Sequence, residues 1–288
     1  MSKSVLVTGA TGFVGQAAVA TLVAGGWNVT LAVRNSLCSQ KGPATCTRVT
    51  LDLRRPADIL ALAEHGPFDA IVHLGTRVGF SGETDADLYG PNVLATALLA
   101  HLAVLWQAHF IFASGTLVHG NAKETIDLEP ITVCPVMPYA KSKWLGEKLI
   151  EASQIQSCIL RIGGIYGASG PAHLGINRAI DAALKGEVPT QIGSGDALRN
   201  YIYVKDAANA IVFALENKLE GVHLIAAHDI LSISEMLQGI CDIFLPASSP
   251  QMKPGADAVN QVVKPSLQFP KTRTFRSALL DIKAEYQR

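Results

Sequence analysis

Tyr139 and Lys143 lie four residues apart in the run Tyr139-Ala140-Lys141-Ser142-Lys143. In a helix that spacing places a phenol and an ammonium on one face. A neighbouring cation favours the phenolate, so the pattern predicts a tyrosine whose pKa falls below its usual value of about 10. Such a tyrosine serves as an acid or base near neutral pH. Pro138, just before, suits the first turn of a helix. Near the start of the chain, Gly9, Gly12 and Gly15 follow a short apolar run. Gly9 permits a tight turn, Gly12 lets the backbone approach a pyrophosphate, and Gly15 lets the next helix pack close to the strand. The start of that helix offers free N–H groups and a positive dipole end to phosphates. The residues thus offer a cradle for a dinucleotide and a phenol that can move a proton.

The residue ending the second strand bears on which dinucleotide is bound. NAD binders place an acid about 20 residues beyond the glycine loop, on the ribose hydroxyls. Here Val33 holds that place and Arg34 follows. With no competing carboxylate and an arginine at hand for a phosphate, this pair favours NADP over NAD. The other reading of Arg34 is a surface cation on a loop. Asp52, after the third strand, is placed either to accept from an adenine amino group or to serve as a loop acid.

These residues need a scaffold, and the apolar pattern supplies one. Strand-length apolar runs at 5–8, 29–33, 47–51, 70–74, 110–113 and 158–162 alternate with predicted helices at 13–24, 56–64, 92–105 and 139–152. Continuous apolar strands separated by helices predict a parallel, doubly wound α/β sheet covered on both faces. Beyond residue 164 the rhythm loosens, with helices predicted at 176–185, 205–216, 232–244 and 274–286 and an irregular stretch at 246–270. The division expected is a dinucleotide-binding domain over 1–164 plus 196–226. A smaller substrate-binding region, a cap over the carboxyl edge of the sheet, then covers 165–195 and 227–288.

Composition narrows the options further. Lys plus Arg and Asp plus Glu are 24 each, so no basic excess suggests nucleic acid. An anionic substrate must then be met by a few placed cations. The five cysteines, Cys38, Cys46, Cys134, Cys158 and Cys241, form no CxxC pair. That disfavours a metal site or disulfide framework and fits reduced thiols in a cytoplasmic protein. The most apolar helix, near 95–106, reads as too short to span a bilayer.

In order and spacing, these blocks resemble the extended short-chain dehydrogenase/reductases, of the NAD-dependent epimerase/dehydratase type that acts on nucleotide sugars. The blocks are residues 8–15, Asp52-Leu53, His73-Leu74-Gly75, Asn92-Val93, 112–120, 138–147, 160–167, 199–206 and 221–237. The resemblance implies a Rossmann-like domain with a small sugar-nucleotide cap, and hydride transfer between a nicotinamide and a sugar C4 carbon. It implies that Gly9, Thr11, Gly12, Phe13, Val14, Gly15, Arg34, Asp52, Leu53, Leu74, Gly75 and Asn92 line the cofactor, with Tyr139 and Lys143 at its reactive end. Arg199 matches an arginine on the substrate diphosphate. Gly164 stands where many relatives carry a substrate-facing Asn, and Tyr166 belongs to the same substrate stretch. The family's active-site hydroxyl falls on Gly115, a departure. Thr116 or Ser114 must supply it, with Thr116 preferred. His119, where relatives carry Tyr, reads as a loop-packing residue.

Three outcomes share this scaffold. A 4,6-dehydratase is expected to carry an Asp-Glu pair after the hydroxyl; Thr116-Leu117 stand there instead and disfavour dehydration. A nucleotide-sugar 4-epimerase needs only Tyr139, Lys143, a hydroxyl and a retained cofactor. A 4-keto-sugar or other carbonyl reductase uses the same residues with exchangeable NADPH, which Arg34 favours. A non-catalytic NADP-binding regulatory protein is the alternative of a different class. No metal is implied. Extended members commonly dimerise through two helices, so a homodimer through 92–105 and 139–152 is expected.

Overall fold

In the computed structural model, residues 3–34, 43–79, 84–120, 125–128 and 133–287 are described. Two compact units are present. One comprises Met1–Asn121, Ile131–Ile162 and Ala208–His223, and the other Ala122–Pro130, Gly163–Ala207 and Leu224–Arg288.

The chain opens with strand β1 (Ser4–Thr8), helix α1 (Phe13–Ala24), β2 (Asn28–Val33), β3 (Thr47–Thr50), α2 (Pro56–Ala61) and β4 (Ala70–His73). It continues through α3 (Asp85–Leu88), α4 (Ala95–Trp106), β5 (His109–Gly115), α5 (Pro138–Ser153) and β6 (Ser157–Ile162). Then come β7 (Ile165–Tyr166), α6 (Gly175–Leu184), β8 (Thr190–Ile192), β9 (Leu198–Arg199), β10 (Ile202–Tyr203), α7 (Val204–Glu216) and β11 (Gly221–Ile225). The last elements are β12 (Leu231–Ser232), α8 (Ile233–Phe244), β13 (Gln251–Lys253) and α9 (Phe275–Tyr286).

Seven strands form one sheet in the order β11-β6-β5-β4-β1-β2-β3. Strands β1 to β6 pair in parallel. The strand order reverses between β1 and β4, where a doubly wound sheet leaves a crevice at the carboxyl ends of its strands. Thr8 and His73, the last residues of these two strands, pair directly. Leu6, Ile71, Phe110, Phe112 and Ile159 from the sheet pack with Leu99, Leu102 and Ile150 from the helices in one core.

One helix departs from expectation in a way that matters for the site. The helix predicted over 92–105 begins earlier, at Asp85. A capping box between Thr84 and Asp87 starts it, and a π-helical segment at Tyr89–Leu94 carries it through Pro91 into α4. The continuous stretch Asp85–Trp106 has 22 residues and mean hydropathy 1.5, so it is long and apolar enough to cross a bilayer. This corrects the expectation of a helix too short for that. Its apolar content is explained by the core: Ala95, Leu99, Ala100, Leu102 and Ala103 are buried.

The second unit carries small strand pairs: β7 with β10 and β8 with β13 in parallel, and β9 with β12 antiparallel. Helix α8 packs on α6 and α9. Its start at Ser232 is fixed by a capping box with Glu235. The stretch 246–270, predicted irregular, contributes β13 and two isolated bridges, Val263 to Ile126 and Gln261 to Arg199.

Candidate active site

The glycine loop is built as its spacing predicts. Gly9 has φ +67°, and a Cβ there would lie 2.6 Å from the Gly75 nitrogen. Gly12 donates its N–H to the Gly9 carbonyl at 2.9 Å and opens α1 with no side-chain cap. A Cβ on Gly15 would meet the Gly9 carbonyl at 2.0 Å. This bare backbone turn at a helix start, next to the reversal point of the sheet, has the shape and polarity a pyrophosphate requires. Thr11, Phe13 and Val14 sit half-buried around it.

Across the carboxyl edge, Val33 is buried and Arg34 exposed at the end of β2. Asp52 accepts from Nε and Nη2 of Arg54, the shorter contact being 2.5 Å. The Arg54 hydrogen bond holds its carboxyl at about 2, with Arg34 adding a smaller push downward. The Leu53 side chain stands against Gly75. Leu74 donates its N–H to the Thr8 carbonyl, continuing the β1–β4 pairing into the loop.

Asn92 is buried in the π-helical segment. Its Oδ1 accepts from the Arg77 N–H at 2.8 Å and the Thr76 hydroxyl at 3.1 Å. Its Nδ2 donates to Ser142 Oγ at 2.9 Å. An extra residue in the turn swings this amide toward α5, a common use of π segments at functional sites.

Tyr139 occupies the first turn of α5, half-buried, with Lys143 one turn on and only 3% exposed. Lys143 Nζ lies 6.0 Å from the Tyr139 ring centre and 4.7 Å from that of Phe112, and it donates to the Ala113 carbonyl at 2.8 Å. Here the structure departs from the expected electrostatics. Burial pushes the Tyr139 phenol up to about 12. Burial also pulls the Lys143 ammonium down to about 7, against the opposing charge of Glu147. The spacing did bring the two side chains to one face, but burial sets the direction of both shifts.

The three positions around the expected hydroxyl are distinct. Gly115 has extended backbone (φ −141°, ψ 153°), and a Cβ there would meet only the Ile162 carbonyl, at 3.7 Å. Ser114 is buried and donates its hydroxyl to Glu147 Oε1 at 2.5 Å. Thr116 begins a short 3-10 turn and is half-buried. Arg161 grips Glu147 with Nε and Nη2, the shortest contact being 2.6 Å, and its Nη1 lies 3.2 Å from His119 Nε2. An arginine only donates, so that nitrogen of His119 accepts. Sequence reasoning did not single out Glu147 or Arg161. Only Glu147, one turn beyond Lys143 on the same face, left a signal.

The second unit holds a recess lined among others by Tyr166, Arg199, Tyr201, Asp229 and Phe275. Arg199 is 7% exposed, and its Nη1 donates to the carbonyls of Leu198 and Val259 at 2.8 and 2.5 Å. Its Nε is buried with no hydrogen-bond partner among the described residues. Tyr166 is buried against Tyr203 and Phe275, with ring centres 5.7 and 5.4 Å away. A Cβ on Gly164 would lie 2.3 Å from the Tyr201 ring, so glycine at 164 is what admits Tyr201. Tyr201 itself was not anticipated.

The chain is similar to known proteins. A family model described as NAD dependent epimerase/dehydratase family matches residues 5–227. The chain is 29% identical to a dTDP-6-deoxy-L-talose 4-dehydrogenase (NAD(P)(+)) of Kitasatospora kifunensis, over 74% of this chain and 70% of that one. It is 27% identical to a putative UDP-glucose 4-epimerase of Methanocaldococcus jannaschii, over 76% of each. Among solved structures, MoeE5 in complex with UDP-glucose and NAD superposes with a TM-score of 0.80 at 26% identity, covering 99% of this chain and 98% of that one. With the glycine cradle, the Tyr139–Lys143 pair and the reversed strand order in place, the chain belongs to the NAD dependent epimerase/dehydratase family.

Proposed function

We propose that the protein is a nucleotide-sugar 4-epimerase, with Tyr139 as the acid/base at the C4 oxygen. The observation that carries this reading is the pairing of Tyr139 and Lys143 on α5 with an intact glycine cradle in the same unit. When bound, the dinucleotide supplies the hydride acceptor and donor and, in its oxidised form, a positive charge that favours the phenolate. Gly9, Gly12 and Gly15 hold its pyrophosphate, and Asp52, Leu53, Leu74 and Gly75 border its adenosine end. Tyr139 accepts the C4 hydroxyl proton as that carbon becomes a carbonyl, and returns it when the carbonyl is reduced on the other face. Lys143 holds the nicotinamide ribose and favours the phenolate when protonated. Thr116 supplies the hydroxyl that polarises the C4 oxygen, because the Ser114 hydroxyl is given to Glu147.

Arg199 is assigned to the substrate diphosphate, since its buried Nε lacks a partner and an anion at this recess would supply one. Tyr166 and Tyr201 line the same recess. The exposed apolar residues Leu94, Val104, Leu105 and Leu149 on the helices suit a homodimer through α4 and α5.

A second reading rests on Arg34. An arginine after a strand that ends in Val33 suits the 2′-phosphate of NADP, and an exchangeable NADPH would make the enzyme a 4-keto-sugar reductase. The decisive variant is Tyr139→Phe. It is expected to abolish turnover of UDP- and dTDP-hexoses while leaving NAD affinity, read by fluorescence titration, within about twofold. Turnover retained in this variant would remove Tyr139 from the chemistry.

A further inference from the structure

His73 is fully buried, and no step above uses it. Its Nδ1 lies 2.7 Å from Thr8 Oγ1 and its Nε2 3.1 Å from Thr96 Oγ1. The neighbours determine where the protons sit. Thr96 Oγ1 is 2.5 Å from the Asn92 backbone carbonyl. A carbonyl only accepts, so the Thr96 proton goes there and the Thr96 oxygen accepts from His73 Nε2–H. Burial pushes the imidazole down to about 3, so the ring is neutral. Nδ1 then carries no proton and accepts from the Thr8 hydroxyl. Thr8 Oγ1 in turn accepts from the Gly75 N–H at 3.1 Å.

At its other end the chain of bonds runs on. Asn92 Nδ2 donates to Ser142 Oγ, and the Ser142 hydroxyl donates to the Tyr139 backbone carbonyl at 2.8 Å. Each bond has a defined direction, and the members are half-buried or better. The path joins Thr8, the residue before Gly9, to the first turn of α5. Strand pairing alone cannot set this distance, because α5 lies on the face of the sheet and β1 within it.

We propose that His73, held as the Nε2–H tautomer by Thr96, is a positioning residue that fixes the glycine loop relative to the Tyr139 phenol. The proposal rests on the reading of Tyr139 as acid/base. Thr96→Val keeps the buried volume but removes the hydroxyl that links His73 to Asn92. A one-ångström misplacement is enough to cost on the order of a hundredfold in rate. In folded Thr96→Val, kcat is therefore expected to fall about tenfold to a hundredfold with the nucleotide-sugar KM unchanged, and Thr96→Ser is expected to restore it. Nitrogen-15 NMR of histidine-labelled wild type should show His73 protonated on Nε2, its resonances assigned by their loss in His73→Gln. A proton on Nδ1, or a folded Thr96→Val with wild-type kcat, would overturn the proposal. If Thr96→Val does not fold, Thr8→Val breaks the other end and is read the same way. A wild type that turns over no nucleotide sugar would defeat the functional reading alone. In that event NAD titration decides: several-fold weaker binding in Thr96→Val supports the relay, and unchanged binding overturns it.

Discussion

Burying Lys143 makes the first turns of α5 a source of instability at neutral pH. Its ammonium loses protons near pH 7 when folded and near the ordinary lysine value when unfolded. Between those values the unfolded chain binds more protons, so this residue makes stability rise with pH from about 7 to about 10. Replacing it with an apolar side chain of similar length removes that dependence. Lys143→Met should therefore raise the Tm at pH 7 more than at pH 9.5, by the equivalent of a few kcal/mol, while turnover is lost. Thermal unfolding at the two pH values checks this; an equal change at both would show that Lys143 is not held with a lowered pKa. The identity and spacing of Tyr139 and Lys143 were legible in the sequence. The direction of their pKa shifts was not, because it depends on how completely the sheet and α5 exclude water. Arg199 was expected from the sequence to be a cation for the diphosphate; that it is buried with its Nε unpartnered among the described residues was not legible. Arg199→Ala should raise the nucleotide-sugar KM about tenfold to a hundredfold, the loss of charge-assisted hydrogen bonds, with kcat little altered. An unchanged KM would free the recess from any role with the diphosphate.

Between elements, α5 is fastened to the sheet by a buried ion pair. Glu147 and Arg161 have side-chain exposures of 0% and 3%, and Ser114 and His119 complete their partners. Removing one member strands the other charge. Glu147→Ala should cost about 3–5 kcal/mol in denaturant unfolding; a loss under about 1 kcal/mol would mean that Arg161 reaches water. No spacing rule links a residue of α5 to one of β6, so this pair could not be read from the sequence. The alternating strands and helices of the first unit were legible because each apolar run is bounded by a turn or a cap. The start of the helix before α4 was not. Gly90 and Pro91 mimic a helix boundary, but the Thr84–Asp87 capping box lies upstream and the π turn absorbs the proline. That turn is what presents the Asn92 amide to Ser142.

For the whole molecule, order and spacing of motifs carried more than any single residue, since the family model spans residues 5–227, Gly115 included. The irregular stretch before α9 was the least legible part, its bridges to Ile126 and Arg199 joining residues more than sixty positions apart. A homodimer through α4 and α5 predicts that Leu105→Glu, at a residue 61% exposed in the single chain, halves the mass seen by light scattering. An unchanged mass would place any self-association elsewhere. The most direct test of hydride transfer at C4 follows a label on the reacting carbon. UDP- and dTDP-hexoses carrying deuterium at C4 are incubated with the purified enzyme and NAD, and the products are read by NMR and mass spectrometry. Epimerisation by hydride transfer yields the C4 epimer with deuterium still on C4, and no product from Tyr139→Phe. Epimer that has exchanged its deuterium for solvent hydrogen would contradict hydride transfer at C4.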